Sequence, residues 1–494
     1  MRRVDSETVR FVLDGAVVAV SPSSPTRTVL EYLREEAGRT GTKEGCAEGD
    51  CGACTVVLGE LTADGQSINY RAINSCIRFL PTLDGKELIT VESLQTNESV
   101  LHPAQQAMMD HHASQCGFCT PGFVMSLFAL YLNRNSARRE DVIDALAGNL
   151  CRCTGYRPII EAGQNMFAYP EPARWSRTDA HSVTRLRLLQ TLRRDSRDAL
   201  RLPGFEAPRT VEQLAAAYEA APDSLILAGG TDVGLFATKH LRELPPLIYV
   251  GEIDELKVIR SEPAGVWIGA AVTLSDAWPA LVAQYPTLDE QARRFASPPI
   301  CNSATLGGNV ANGSPIGDSM PALIALGAEI ELRKGATTRR MPLERFYLSY
   351  QRKDLQPGEF LVGIRVPASR PETLLGSYKV AKRFDQDISA VCATFAVTLE
   401  GERIVAARLA FGGMAAIPSR ALQAEIALVG SAWSSESCDA AAQALTQDFK
   451  PLNDMRASSD YRLQAAGNLL RRFYLQHSAG LVRTRTSDAL AETP

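Results

Sequence analysis

The sequence predicts a multidomain α+β chain, and three observations carry that expectation. Alternating apolar runs open the chain. Two separate sets of four cysteines follow, the second one framed by helical periodicity. Beyond Thr210, helical stretches alternate with short strand-like runs that end in glycine turns. At 494 residues the chain has room for roughly three or four domains.

Composition narrows the class. The chain is 45% hydrophobic and 22% charged, an ordinary globular balance. A formal charge of −4 carries no global basic bias, which argues against a nucleic acid or an anionic membrane as partner. The N-terminus shows no apolar signal core, and no apolar run approaches the ~20 residues of a spanning helix. Eleven cysteines in that context predict a cytoplasmic chain with metal-bound thiolates, not disulfides.

Residues 1–85 read as a ferredoxin-like β-grasp domain. Strand patterns flank Asp14-Gly15, a hairpin turn signal, and a short helix runs from Thr28 to Glu36. Then comes Gly45-Cys46-Ala47-Glu48-Gly49-Asp50-Cys51-Gly52-Ala53-Cys54-Thr55, with Cys76 further on. The spacing C-x4-C-x2-C…C is that of a plant-type 2Fe–2S loop. Its glycines let the backbone wrap a cluster and turn N–H groups toward it. A four-cysteine structural zinc site is the alternative.

Residues 86–168 read as a helical domain with a second site. Cys116 and Cys119 are separated by 31 residues from Cys151 and Cys153. Thr120 is expected as N-cap and Pro121 as first helical residue, with an apolar stripe through Val124, Leu127, Phe128, Tyr131 and Leu132. A second helix is expected from about Arg139 to Leu146, ended by Gly148-Asn149. Two antiparallel helices bring the four thiolates together at a helix N-terminus, where negative charge is favoured. This spacing alone leaves zinc open. A ferredoxin-type loop earlier in the chain favours two clusters in series. His102, His111 and His112 are expected to be ordinary surface or core residues.

These motifs, with Ser114-Gln115 before Cys116 and Thr154-Gly155-Tyr156 after Cys153, resemble the iron–sulfur portion of molybdenum hydroxylases, the xanthine dehydrogenase and aldehyde oxidase group. The resemblance implies that Cys46, Cys51, Cys54 and Cys76 hold one 2Fe–2S cluster and Cys116, Cys119, Cys151 and Cys153 another. It implies that the second lies nearest a molybdopterin, contacted by Gln115. Family members often read His-Gly-Ser-Gln where this chain has His112-Ala113-Ser114-Gln115.

Residues 169–203, punctuated by Pro170, Pro172 and Pro203-Gly204, read as an exposed linker. Its basic run (Arg193, Arg194, Arg197, Arg201) is expected on a solvated surface, with docking on a partner as the alternative.

Residues 204–370 open with a helix around Val211–Ala221 and the strand Leu225-Ile226-Leu227, which runs into Ala228-Gly229-Gly230-Thr231-Asp232. The turn is not a G-x-G-x-x-G fingerprint, and alone it reads as an ordinary tight turn. A second glycine turn, Thr305-Leu306-Gly307-Gly308-Asn309, makes a dinucleotide held between two loops the better reading. Together they resemble the vanillyl-alcohol-oxidase-type FAD-binding α+β domain of the same family. By that resemblance FAD is lined by Ile226, Leu227, Ala228, Gly229, Gly230, Thr231, Asp232 and Val233 and by Thr305, Leu306, Gly307, Gly308 and Asn309. Phe295 would stack near the isoalloxazine, and Asp318, Leu361 and Lys379 would add contacts. Leu361 could equally be core and Lys379 a surface lysine. No His or Cys is placed for covalent attachment, so FAD is expected to be non-covalent. Cys301 departs from a basic residue common in relatives, and reads as a structural thiol or a perturbed flavin environment.

Residues 371–485 resemble the family's C-terminal α+β flavoprotein domain, with strands at 392–399 and 404–411, and a frayed tail is expected from Thr484. The segment Phe384-Asp385-Gln386-Asp387 resembles that of bacterial xanthine dehydrogenase small subunits. The resemblance implies an electron-transfer subunit that works with a separate molybdopterin-binding large subunit, in a dimer of heterodimers. That complex would hydroxylate hypoxanthine and xanthine to urate and pass electrons to NAD+. Another molybdenum hydroxylase, acting on aldehydes or N-heterocycles, is the second reading. A zinc-based interaction module on a flavin-fold scaffold is the third.

Overall fold

A computed structural model describes residues 7–95 and 100–478. The chain forms two compact units. The first comprises Met1–Lys257, Thr273–Ser275 and Ala296–Ala304; the second comprises Val258–Val272, Asp276–Phe295 and Thr305–Pro494. Residues 204–370, expected as one flavin domain, therefore contribute to both.

In the first unit, β1 (Val9–Leu13), β2 (Ala16–Val20), β3 (Thr55–Leu61), β4 (Ile68–Asn74) and β5 (Glu87–Ile89) form one sheet in the order β2-β1-β5-β3-β4. Only the β1–β5 pair is parallel, as a β-grasp requires. Asp14 and Gly15 both take positive φ, 55° and 81°, which matches the right-handed twist of the β1–β2 hairpin. Val9, Phe11, Val56, Leu58, Phe79 and Leu88 fill one buried face.

The helical part follows as α1 (Pro103–Asp110), α2 (Thr120–Asn133), α3 (Arg139–Leu146) and α4 (Arg157–Asn165). Cys119, not Thr120, is the N-cap of α2. The Cys119 carbonyl already accepts the Phe123 N–H at 3.2 Å, while the Thr120 hydroxyl pairs with Ser114 Oγ at 2.7 Å. The expected stripe proves to be a whole surface: Gly122 through Leu132 are all buried, so α2 is a core helix. His102 caps α1 through its ring, accepting from the Ala104 N–H at 3.1 Å. It is 1% exposed, and burial lowers its pKa to about 4.

The exposed linker expected at residues 169–203 is corrected. Trp175 is fully buried and packs edge-on to Phe128 at 5.6 Å, and Val183–Leu192 is a helix whose Leu189 and Leu192 are core. Of the basic run, Arg197 and Arg201 are exposed as expected, whereas Arg193 and Arg194 are paired with acids that the fold brings to them. Arg194, 4% exposed, bonds Asp84 at 2.6 Å and the Thr8 carbonyl at 2.7 Å. Arg193 reaches Asp254 at 2.5 Å, and Arg185 reaches Glu87 at 2.8 Å. The first unit closes with a small sheet in which Leu225–Leu227 runs parallel to Leu247–Tyr249.

The second unit holds an antiparallel five-stranded sheet built on Phe360–Pro367 and a four-stranded sheet built on Val391–Glu400 and Arg403–Gly412. Helices Leu422–Leu428, Ser435–Asp448 and Ser459–His477 follow the second sheet, and its core centres on Phe395, Phe411 and Phe473. The tail expected from Thr484 lies outside the described residues. Among those described, no helix is long and apolar enough to cross a membrane.

Candidate redox centre

The first cysteine set converges in the loop before β3 and the turn after β4. Cys54 Sγ and Cys76 Sγ lie 3.3 Å apart, and the Cys51 N–H donates to Cys46 Sγ at 3.4 Å. Cys46 also contacts the Cys51 and Cys76 thiols, whose hydrogen bonds hold its pKa far below the usual thiol range. Two glycines of the loop are tightly packed, and the backbone demands glycine at the second. A Cβ at Gly45 would stand 2.9 Å from Cys51 Sγ, and Gly52, at φ +68°, would place one 2.1 Å from the Gly148 carbonyl oxygen. Cys54 and Cys76 are buried, Cys46 and Cys51 half-buried.

The second set sits at the start of α2 and just after α3. The Cys116 thiol meets Cys153 and the Cys119 thiol meets Cys151. The Phe118 N–H and then Cys153 lower the pKa of Cys116, whereas burial first and Cys151 second raise that of Cys119 to about 12. The Thr154 hydroxyl lies 3.2 Å from Cys151 Sγ. Cys116, Cys153 and Gln115 are exposed.

Among the described residues no group of three or more His, Cys, Asp or Glu closes on a single metal ion. The thiols meet instead at short range: Cys46 with both Cys51 and Cys76, Cys54 with Cys76, Cys116 with Cys153 and Cys119 with Cys151. Two thiolates on each of two metals is the donor set of a 2Fe–2S cluster, so the residues present fit one at each site.

The two sets meet along a seam of small residues. The Leu150 N–H, next to Cys151, donates to the Cys51 carbonyl at 3.0 Å. Asn149, 4% exposed, donates to the Gly52 carbonyl at 3.1 Å and Thr55 Oγ1 at 3.2 Å, and accepts from Ser126 Oγ at 2.6 Å. Gly122, in α2, passes so close that a Cβ there would stand 2.2 Å from the Gly52 carbonyl oxygen.

The expected flavin residues fall in both units. In the first, Leu225–Leu227 leads through Ala228, Gly229 and Gly230 (φ +75°) to Asp232 and helix Val233–Thr238. A Cβ at Gly229 would meet the Ser303 carbonyl oxygen at 1.9 Å, and one at Gly234 the Ile77 carbonyl oxygen at 2.6 Å. The loop expected to line the flavin thus rests on the residue that follows Cys76. Burial raises the Asp232 carboxyl pKa. It also raises the thiol of Cys301, in the same unit, to about 12, which suits the structural-thiol reading.

In the second unit Thr305 caps Leu306–Asn312, accepting the Gly308 N–H at 2.9 Å, and a Cβ at Gly307 would meet the Ala270 carbonyl oxygen at 2.4 Å. Phe295 packs on Trp278 at 5.5 Å, and the buried Trp278 Nε1 has no partner within the protein, a donor left for a bound group. Lys379 is not a surface lysine: it is buried and pairs with Asp318 at 2.7 Å, which also accepts from Ser389 at 2.7 Å. Leu361 is buried in Phe360–Pro367 opposite Leu332, the core position allowed for it. Gly229 and Gly307 are needed for close packing of backbone on backbone within each unit, and the orphaned Trp278 Nε1 beside Phe295 is the feature that suits a bound flavin.

Sequence reasoning missed Asn149, Ile77 and Trp278. Only Asn149 carried a signal, its place between Gly148 and the ligand Cys151.

The chain matches four protein families in succession. These are a 2Fe-2S iron-sulfur cluster binding domain over residues 11–79, a [2Fe-2S] binding domain over 90–164, an FAD binding domain in molybdopterin dehydrogenase over 201–369, and a CO dehydrogenase flavoprotein C-terminal domain over 376–477. It is 31% identical to a xanthine dehydrogenase of Emericella nidulans over 98% of this chain and 39% of that protein. It spans only 34–39% of the length of the xanthine dehydrogenases it matches first. Among solved structures, a chain of carbon monoxide dehydrogenase from Hydrogenophaga pseudoflava is similar at 31% identity and TM-score 0.51, covering 54% of this chain and 94% of that one. Quinoline 2-oxidoreductase from Pseudomonas putida 86 is similar at 26% identity and TM-score 0.51, covering 56% and 97%.

Proposed function

Because the chain belongs to the molybdenum hydroxylase family, as its electron-transferring iron–sulfur and flavin portion, we propose that it serves a xanthine dehydrogenase. It takes electrons from a molybdopterin-bearing large subunit and passes them through two 2Fe–2S clusters and non-covalent FAD to NAD+. When bound, the clusters supply one-electron steps and the flavin supplies hydride exchange. The substrates proposed are hypoxanthine and xanthine, oxidised to urate, and the assembly a dimer of heterodimers in the cytoplasm.

One observation supports this order above the others. The ligand Cys76 is followed by Ile77, which carries the flavin loop, while the backbone of Cys51 bonds the amide beside Cys151. The first cluster site thus lies between the second site and that loop. The exposed Cys116, Cys153 and Gln115 leave the second site open toward a partner's pterin. The sequence match to a xanthine dehydrogenase over 98% of this chain, and 39% of that protein, supports the purine substrate.

Likeness to carbon monoxide dehydrogenase and quinoline 2-oxidoreductase favours a second reading, in which the partner oxidises another substrate. Two measurements separate them. Anaerobic NADH titration, with iron, zinc and flavin assayed, should give four irons and one flavin per chain and bleaching of the cluster bands after the flavin. Xanthine should then drive NAD+ reduction by the copurified complex. Reduction by an aldehyde or N-heterocycle but not xanthine refutes the purine assignment, and zinc in place of iron refutes the electron-transfer role.

A further inference from the structure

Asn74 closes β4 opposite Thr55, and this register sets its side chain beside Cys54. Its Nδ2 donates to Cys54 Sγ at 3.8 Å. Its Oδ1 is buried without a hydrogen-bond partner, and the residue is 2% exposed. The following residues grip the same ligand: Ser75 Oγ donates to the Cys54 carbonyl at 2.7 Å, and Cys76 Sγ lies 3.3 Å from Cys54 Sγ. Burying an amide whose oxygen finds no partner is destabilising, so an apolar residue of this shape would fill the space at less cost. What the amide supplies here is an N–H directed at Cys54 Sγ.

Adding an electron to a thiolate-ligated cluster makes it more negative. Burial disfavours that form, and an N–H directed at a ligand sulfur favours it. The two sites differ in burial: Cys54 and Cys76 are 1% and 3% exposed, whereas Cys116 and Cys153 are open to solvent. Desolvation alone would make the first cluster the poorer electron acceptor. We infer that Asn74 is a positioning residue which, acting through Cys54, raises the reduction potential of the first cluster and keeps transfer from the second cluster to the first downhill. This rests on the electron order proposed above. The second site has a donor of its own in Thr154, beside Cys151.

The test is a redox titration of the full chain followed by electron paramagnetic resonance, which reads the two clusters separately. Asn74→Leu removes the donor, and Asn74→Asp replaces it with a charge of the wrong sign. At a fixed potential each should lower the reduced-to-oxidised ratio of the first cluster about tenfold, which is 59 mV for a one-electron couple, and leave the second unmoved. Thr154→Val should do the reverse. Should both Asn74 variants fail to assemble the cluster, native protein labelled with ¹⁵N in its asparagine side chains decides. A hyperfine coupling from that nitrogen to the reduced first cluster upholds the inference, and its absence overturns it. An unmoved first-cluster potential in variants that keep four irons overturns this inference alone. Zinc in place of iron overturns it together with the electron-transfer role.

Discussion

Replacing Gly122 with alanine sets two physical effects of opposite sign against each other. Gly122 lies in the first turn of α2, and helix propensity alone predicts that Ala stabilises by about 1 kcal/mol. The seam predicts the reverse. The new Cβ would stand 2.2 Å from the Gly52 carbonyl oxygen, where ordinary contact begins at 3.4 Å, and 3.2 Å from Asn149 Nδ2. The obstruction is backbone on the cluster loop and cannot swing aside. Overpacking of this kind costs about 1–3 kcal/mol, and losing the Asn149–Gly52 hydrogen bond adds about 1 kcal/mol. The net expectation is a loss of about 1–3 kcal/mol, read as an earlier thermal transition of the cluster absorbance. Asn149→Ala should destabilise the native chain, yet do less harm once Gly122→Ala has already broken the contact, with a coupling of about 1 kcal/mol in a double-mutant cycle. A Gly122→Ala protein that melts at or above the native temperature, with strictly additive effects, would refute the packed seam.

Three further outcomes are expected. Cys46→Ser and Cys116→Ser should each leave half the native iron, and retention of both clusters in either variant would contradict the ligand sets. Lys379→Met leaves Asp318 buried without its cation, so flavin occupancy and stability should fall by about 3–5 kcal/mol; Asp318→Asn in the same chain should recover part of it, as denaturant melts will show. His102 carries a pKa of about 4 folded against about 6.5 unfolded, so the unfolded chain binds the proton first. Stability is therefore full above pH 6.5 and declines toward pH 4, by about 3 kcal/mol in total, and His102→Asn should flatten that decline in melts recorded across the range.

The cysteine sets, the hairpin at Asp14-Gly15 and helix Arg139–Leu146 were legible in the sequence because each rests on a local rule: ligand spacing, paired left-handed residues, and 3.6-residue periodicity. The segment from 169 to 203 was misread because its arginines look solvated in isolation. Only the fold supplies Asp84, Glu87 and Asp254 as partners. The N-cap of α2 was misplaced by one residue, since Ser114 competes for the Thr120 hydroxyl. Trp278, and the burial of Lys379 against Asp318, escaped for the same reason: packing across distant segments leaves no periodic trace.

The contact beneath the flavin loop carries a consequence for the order of maturation. Gly234 packs against Ile77, and Ile77 is held by its neighbour Cys76. A metal held by that thiol would brace the floor on which the loop rests. On the ligand set proposed above, loading of that site and capture of the flavin would be linked, and iron-depleted protein would then bind flavin less well than replete protein.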